Sequence, residues 1–176
     1  GEISIFFAKK INCKVFAIEC AEKNLNFLNK NIELNNVKNI QVFKYAISDK
    51  DDLILTVNFK SNETQVHKKN EFIKNNENEL VESITLSTFI KSQNINFIDF
   101  LKIDIENSNY LVSNCILKNS RIIKSLLWEI GFYNSENFKL LILKLCKMFD
   151  FYLFKNNDLV KISVDDVLLK IQKEVN

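Results

Sequence analysis

The chain has 176 residues, of which 47% are hydrophobic and 26% charged, and its formal net charge is +2. This composition is typical of one globular domain and excludes a disordered chain. No apolar run reaches the roughly 20 residues that span a bilayer, and the mixed charges form no basic block of the kind that binds nucleic acid. We therefore expect a soluble, cytoplasmic protein that binds neither a membrane nor nucleic acid.

Helical and strand patterns alternate in the first third of the chain. Leu25, Leu28 and Ile32 recur at helical spacing, and a compact apolar run ends on the acid Glu19. A turn is expected at Ser48 to Asp52, where polar residues separate two apolar runs. The predicted elements are a short helix at 2–10, a strand at 14–18, a helix at 22–34, and strands at 40–47 and 53–58.

The middle of the chain is polar, and the last part again alternates. Residues 60–79 are rich in Asn, Lys and Glu and are predicted to form a long loop excursion. The elements predicted after it are a strand at 81–86, a short helix capped by Ser87, a strand at 97–104, a helix at 110–117, a strand at 124–130, a helix at 136–149 capped by Ser135, a hairpin of 151–154 and 159–162, and a final helix at 164–175.

This order of elements predicts an α/β fold with one domain over residues 1–176. Strands that alternate with helices form a mostly parallel sheet covered on both faces, and the terminal hairpin would add an antiparallel edge. Ligands of such sheets bind at the carboxyl ends of the strands. The residues that close the predicted strands are therefore the first candidates for a functional site.

Three predicted strands end on or beside a carboxylate: Glu19, Asp104 and Glu129. An acid in the position of Glu19 can accept hydrogen bonds from both ribose hydroxyls of a nucleoside cofactor. Alternatively, Glu19 and Glu22 bind no ligand, and their negative charges only interact favourably with the positive, amino-terminal end of the following helix. Asp104 and Glu129 together could bind a divalent metal, although a hydrogen-bonded acid is the more ordinary role for Glu129, and we predict no metal site.

The cysteines and the histidine give no sign of a metal site or a catalytic site. Cys13, Cys20, Cys115 and Cys146 are widely spaced, which favours free thiols in a reducing compartment. The single histidine, His67, is followed by two lysines, and we expect a solvated loop residue rather than a base.

Four segments in this order and spacing resemble the FkbM family of S-adenosylmethionine-dependent methyltransferases. They are Val15-Phe16-Ala17-Ile18-Glu19, Tyr45-Ala46-Ile47-Ser48-Asp49, the run Ser83 to Ile90, and the run Ile98 to Glu106. The resemblance covers residues 1–131 and implies a Rossmann-like class I methyltransferase fold. In that family a first strand and a loop of the form Asp-x-Gly-x-Asn-x-Gly come before a helix like that at 2–10. Gly1 resembles the last glycine, so we expect that the first strand and most of this loop are missing from the chain.

The resemblance also implies a set of residues that bind the cofactor, S-adenosylmethionine. Glu19 would hold its ribose, and the backbone near Ala46 and Ile47 would flank its adenine. Gly1 and Asp104 would complete the cofactor site.

The catalytic residues implied by the resemblance lie on the segment Lys102-Ile-Asp-Ile-Glu106. Asp104 and Glu106 would face the reacting centre and orient or deprotonate a substrate hydroxyl, while Lys102 could stabilise the oxyanion. The family pattern continues with Gly and then Glu, where this chain has Asn107 and Asn109. That departure bears on substrate binding and activity.

These features predict methyl transfer from S-adenosylmethionine to a hydroxyl oxygen of a sugar or secondary metabolite, so that the partner is a small molecule or a glycan. A nicotinamide-dependent oxidoreductase is the rival enzyme, because an acid after the first strand also serves a dinucleotide. The segment 102–106 argues against it. A truncated, non-catalytic remnant is the third alternative, favoured by Asn107, Asn109 and the missing loop.

Overall fold

The structure is a computed structural model and describes residues 1–58, 65–68, 78–105, 109–128, 136–155 and 158–173. The chain divides into two units, Gly1–Thr88 and Phe89–Asn176. Among the described residues, no helix is long and apolar enough to cross a membrane. The expectation of a single domain over the whole chain stays a prediction.

The first unit contains three helices and six strands within its described ranges. The predicted helix at 2–10 is present, but its second half widens into a π-helix, Phe7–Ile11, which ends at Asn12 with a left-handed φ of 53°. The elements are α1 Glu2–Phe6, β1 Val15–Glu19, α2 Glu22–Leu34, β2 Ile40–Lys44, β3 Ala46–Ser48, β4 Ile54–Asn58, β5 Gln65–Lys68, β6 Asn78–Thr85 and α3 Leu86–Ser92, which begins in this unit.

The predicted strand at 40–47 is wrong in one respect, because it is two strands that break at Tyr45. The first, β2, pairs in parallel with β1, and the second, β3, pairs in parallel with β6. Each half satisfies its backbone hydrogen bonds with a different neighbour, so the chain must change sheets between them. The order of apolar and polar residues in this stretch does not reveal such a change of partner.

The predicted loop at 60–79 is also partly wrong. Residues 65–68 form β5, antiparallel to β4, and β6 already begins at Asn78. His67 therefore lies in a strand, in register with Thr56, and not in a loop. The strand order is β3-β6-β4-β5, which places β5 at an edge of the sheet. Edge strands tolerate polar residues. The polar composition of this stretch therefore did not indicate a strand. The rest of 60–77 lies outside the described residues.

The core of the first unit joins β3, β4 and β6 to the residues between β1 and α2. Ala21 and Val57 are fully buried, and Ala46, Leu55 and Val81 are no more than 4% exposed. Burial of these apolar side chains stabilises the unit because it removes their surface from water. It also fixes the two residues between β1 and α2, which directly follow the predicted ribose-binding acid Glu19.

The helix α3 begins with a hydrogen-bonded cap, and the residue predicted to form this cap was wrong. Ser87 was expected to be the cap, but it lies inside the helix, and the capping side chain is Thr85, whose Oγ1 accepts a hydrogen bond from the Thr88 N–H at 3.1 Å. Asp51 reaches this helix end from the turn after β3 and accepts bonds from the Thr85 N–H at 2.6 Å and the Thr88 hydroxyl at 2.8 Å. These bonds, the Thr85 backbone bond above all, lower the pKa of Asp51.

Replacement of Asp51 by alanine is expected to lower the free energy of unfolding at pH 7 by about 0.5–1 kcal/mol, the low end for a capping acid because the site is solvated. The folded-state pKa of Asp51 lies below its unfolded value of about 3.9, so its contribution is present above that pH and is lost as the pH falls through the folded value. Urea unfolding at pH 7 and pH 3 measures both effects.

Asp49→Ala is the matched control, because Asp49 lies in the same turn and accepts a bond from the adjacent Ser48 hydroxyl rather than from the helix. A difference between Asp51→Ala and the parent protein that is as large at pH 3 as at pH 7 would contradict the assigned cap.

In the described part of the second unit there are two parallel and two antiparallel strands, with helices between them. The elements are β7 Leu101–Ile103, α4 Asn109–Asn119 followed by a 3₁₀ turn at Ser120–Ile122, β8 Leu126–Trp128, α5 Glu136–Leu145, β9 Tyr152–Lys155, β10 Asp158–Lys161 and α6 Val164–Lys173. The strands β7 and β8 are parallel, and β9 and β10 form the predicted antiparallel hairpin.

Three elements of this unit are shorter than predicted, and one is the strand expected at 124–130, which begins only at Leu126. The strand expected at 97–104 is reduced to β7, preceded by a single bridge between Ile98 and Ile123, and Phe97 remains 55% exposed. The helix expected at 136–149 ends at Leu145, where the backbone carbonyl of that residue accepts bonds from the N–H groups of Met148 and Phe149. The predicted mixture of helices, parallel strand pairs and an antiparallel edge is confirmed.

Candidate functional site

Glu19 is the last residue of β1, as predicted, and it faces a neighbouring strand end. The parallel register places Glu19 opposite Lys44, the last residue of β2. The helix α2 begins three residues later, at Glu22. The acid therefore lies at the carboxyl edge of two parallel strands and beside the amino terminus of a helix, where ligands of α/β proteins bind.

Both carboxylate oxygens of Glu19 contact the start of α2. Oε1 accepts a hydrogen bond from the Ala21 N–H at 2.9 Å, and Oε2 accepts one from the Asn24 side-chain amide at 3.4 Å. The helix-capping role considered for Glu19 is thus present. A carboxylate has about four acceptor directions, so the contacts that Glu19 makes with described residues, which include one with the Cys20 thiol, leave acceptor capacity for a ligand hydroxyl.

A lysine and two further acids surround this strand edge, and we call Lys44, Glu22 and Glu79 the Lys44 cluster. The Lys44 ammonium lies 2.5 Å from Glu22 Oε2 and 2.7 Å from Glu79 Oε1. Glu79 Oε2 accepts the Glu22 N–H at 2.8 Å, so an acid from β6 holds the first turn of α2. Hydrogen bonds to Glu22 and then to Glu79 raise the pKa of Lys44.

The sequence analysis missed the Lys44 cluster. Glu79 stands in the polar stretch that was predicted to be a loop, where nothing distinguishes it from the other acids. Lys44 could have been found, because it follows the apolar residues of β2 as Glu19 follows those of β1, but the strand was predicted to run on to residue 47.

The cysteines are free thiols, as expected. Burial, followed by the nearby charge of Glu19, raises the pKa of Cys20 to about 12. Burial also raises the pKa of Cys146. Neither thiol is ionised near neutral pH, so neither is a ready nucleophile.

The other predicted cofactor residues of the first unit are Ala46, Ile47 and Gly1. Ala46 is 4% exposed in the core, and Ile47 is partly buried, so β3 would offer a ligand mainly its backbone. A Cβ added to Gly1 would lie 2.6 Å from Leu28 Cδ1. That atom is the end of a flexible side chain that can shift, and the next nearest atom is 3.7 Å away, so packing alone does not require glycine at this position.

In the second unit, Asp104 follows β7 directly and pairs with Lys102. The Lys102 ammonium lies 2.5 Å from Asp104 Oδ2, and the two side chains are 29% and 41% exposed. Residues two apart in a strand point to the same face, which explains the contact. The structure thus brings together the predicted base and the predicted oxyanion partner.

Most of the remaining residues named in the sequence analysis have no described position. Glu106, Asn107 and Glu129 lie outside the described residues, and Asn109 is the first residue of α4. Within the described ranges, no group of three or more His, Cys, Asp and Glu side chains is arranged to hold a metal ion.

A shallow cavity of about 170 Å³ lies in the second unit between the end of α5 and the start of α6. Its lining includes Cys146, Phe149 and Lys161 and none of the predicted site residues. Its position gives no support to a catalytic role.

Comparison with known proteins tests the family suggested by the four sequence segments. The family model for the methyltransferase FkbM domain matches residues 4–151, which is most of the chain. A search of curated proteins and a search of solved structures each found no significant match. The matched span includes β1 with Glu19 and β7 with the residues that follow it. The chain therefore belongs to the FkbM methyltransferase domain family.

Proposed function

We propose that this protein transfers the methyl group of S-adenosylmethionine to a hydroxyl oxygen of a sugar or secondary metabolite, on a Rossmann-like class I methyltransferase fold. Family membership supports methyltransferase activity, and FkbM methyltransferases generally use S-adenosylmethionine. The observation that carries the proposal is the position of Glu19 at the carboxyl edge of two parallel strands, beside the amino terminus of α2.

The residues around Glu19 fit a nucleoside better than a phosphate group. Glu22 and Glu79 both contact the ammonium of Lys44, and Glu19 adds a third carboxylate at the same strand edge. Such a surplus of negative charge repels a phosphate and accepts neutral hydroxyl donors. In this proposal, Glu19 binds the two ribose hydroxyls, the backbone of Ala46 and Ile47 flanks the adenine, and Gly1 lies near the methionine end.

Bound S-adenosylmethionine supplies a methyl group on a positively charged sulfur, which leaves as a neutral thioether. The acceptor oxygen would take the methyl carbon, and the electron pair of the broken carbon–sulfur bond would stay on sulfur. Asp104 takes the hydroxyl proton, Lys102 stabilises the negative charge that develops on the oxygen, and Glu106 orients the acceptor. Displacement in line needs mainly alignment, so few side chains must act chemically.

Titration calorimetry of the full-length protein with S-adenosylhomocysteine and with NADH tests this function. We expect micromolar binding of S-adenosylhomocysteine, which Glu19→Ala weakens by roughly tenfold to hundredfold because charge-assisted hydrogen bonds to the ribose are lost. NADH is expected not to bind. Binding of NADH alone would favour the oxidoreductase, and binding of neither would favour the non-catalytic remnant.

Two further variants separate ligand binding from helix capping. Glu19→Gln keeps an amide oxygen that can accept the Ala21 N–H, so its melting temperature should stay near that of the parent protein while affinity for S-adenosylhomocysteine still falls. Glu33→Ala removes an acid near the other end of α2 and is the charge-matched control. Equal affinity of the parent protein, Glu19→Gln and Glu33→Ala for S-adenosylhomocysteine would contradict a ribose-binding role for Glu19.

A further inference from the structure

Lys44 is placed to neutralise Glu19 but does not do so. The two residues are register partners at the ends of neighbouring parallel strands, so their side chains leave the same face of the sheet about 5 Å apart. A lysine beside a carboxylate at this spacing readily forms an ion pair with it. Here the ammonium is instead bound by Glu22 and Glu79.

Glu79 is the more firmly held of these two acids. Its side chain is 20% exposed, whereas that of Glu22 is 56% exposed. Its buried Oε1 makes the ion-pair contact with Lys44, and its Oε2 accepts the Glu22 N–H. One carboxylate from β6 therefore fixes both the lysine and the first turn of α2.

The first turn of α2 is also what orients Glu19. The Ala21 N–H that binds Glu19 Oε1 directly precedes the residue whose N–H binds Glu79. A change at Glu79 can thus reach Glu19 by two routes, through the backbone of α2 and through release of Lys44.

We propose that Glu79 is a positioning residue for Glu19: it holds Lys44 away from the Glu19 carboxylate and keeps that carboxylate available to the ribose hydroxyls of the cofactor. This inference rests on the cofactor-binding role proposed for Glu19. Without the charge of Glu79, the acid contact that Lys44 retains among the described residues is the exposed one with Glu22, which is weak. The released ammonium then pairs with Glu19 and competes with neutral hydroxyl donors, which bind a carboxylate less strongly than a cation does.

The test is a double-mutant cycle on the affinity of the full-length protein for S-adenosylhomocysteine. Glu79→Gln keeps an oxygen that can accept the Glu22 N–H and is expected to raise the dissociation constant roughly tenfold. Lys44→Met alone should change it less than about threefold, and Lys44→Met combined with Glu79→Gln should return it to within about threefold of the parent value. Glu82→Gln, an exposed acid on the same strand, is the matched control.

Rescue by the second substitution is the result that a merely structural role does not give, because loss of two stabilising contacts weakens the site further. Unchanged affinity in Glu79→Gln, or a double variant as weak as the single one, would overturn the inference. Glu79→Asp keeps the charge and is expected to bind more tightly than Glu79→Gln; the reverse order would also overturn it. If Glu19→Ala itself leaves affinity unchanged, the proposed function fails rather than this step.

Discussion

Asp104→Asn is expected to lower the turnover number for methyl transfer by roughly a hundredfold to ten-thousandfold, the range for loss of a general base. The substitution keeps the size of the side chain and removes its charge, so the acceptor hydroxyl loses the group that takes its proton. Affinity for S-adenosylhomocysteine should fall far less, because the amide of asparagine can still make a hydrogen bond to the cofactor but cannot take the proton of the acceptor. Transfer of labelled methyl groups to hydroxyl compounds from an acceptor screen measures the first quantity, and calorimetry measures the second.

Asp99→Asn is the matched control, since Asp99 is an exposed acid close to β7 in sequence. It should leave turnover within about twofold of the parent value, as surface substitutions usually do. A loss in Asp104→Asn that is no larger than in Asp99→Asn would remove Asp104 from the chemistry.

Lys102→Met separates the two roles at this strand end. The pair is held at 2.5 Å, so removal of the lysine takes away both the oxyanion partner and the cation that orients Asp104. The double variant combines Lys102→Met with Asp104→Asn. If Lys102 only orients Asp104, methyl transfer by this double variant should be no slower than by Asp104→Asn alone. If it also stabilises the oxyanion, the double variant should be slower.

The parts of the fold that the sequence predicted correctly depend on local patterns. The helix α2 was predicted with its observed bounds, because Leu25 and Leu28 lie on one face and both are 6% exposed. The position of Glu19 at the end of β1 follows from the short apolar run before it. Periodicity and the end of an apolar run are properties of neighbouring residues, so one sequence is enough to read them.

The parts that were missed depend on partners distant in sequence. The break at Tyr45 exists because β2 and β3 pair with different strands, and β6, the partner of β3, lies more than 30 residues further on. The Lys44 cluster likewise joins side chains from β2, α2 and β6. Such contacts are set by sheet topology, which the order of apolar and polar residues does not specify.

Ile116→Ala is expected to lower the free energy of unfolding of the second unit by about 2–5 kcal/mol, a large share of the roughly 5–15 kcal/mol that stabilises a typical domain. Ile116 on α4 and Ile142 on α5 are both fully buried, and Val112 and Leu145 are 1% exposed. Val112 and Ile116 are four residues apart, as are Leu141 and Leu145, so each pair lies on one face of its helix. Truncation of Ile116 removes three carbons and leaves a cavity in this packing.

Urea unfolding, followed by circular dichroism, measures the effect, and two variants grade it. Ile116→Val removes one carbon and should cost about 0.5–1.5 kcal/mol, while Leu140→Ala, on the 54% exposed face of α5, should stay within about 0.5 kcal/mol of the parent protein. The ordering matters more than any single value, because it follows from burial alone. If Leu140→Ala were as destabilising as Ile116→Ala, the apolar face assigned to α5 would be wrong.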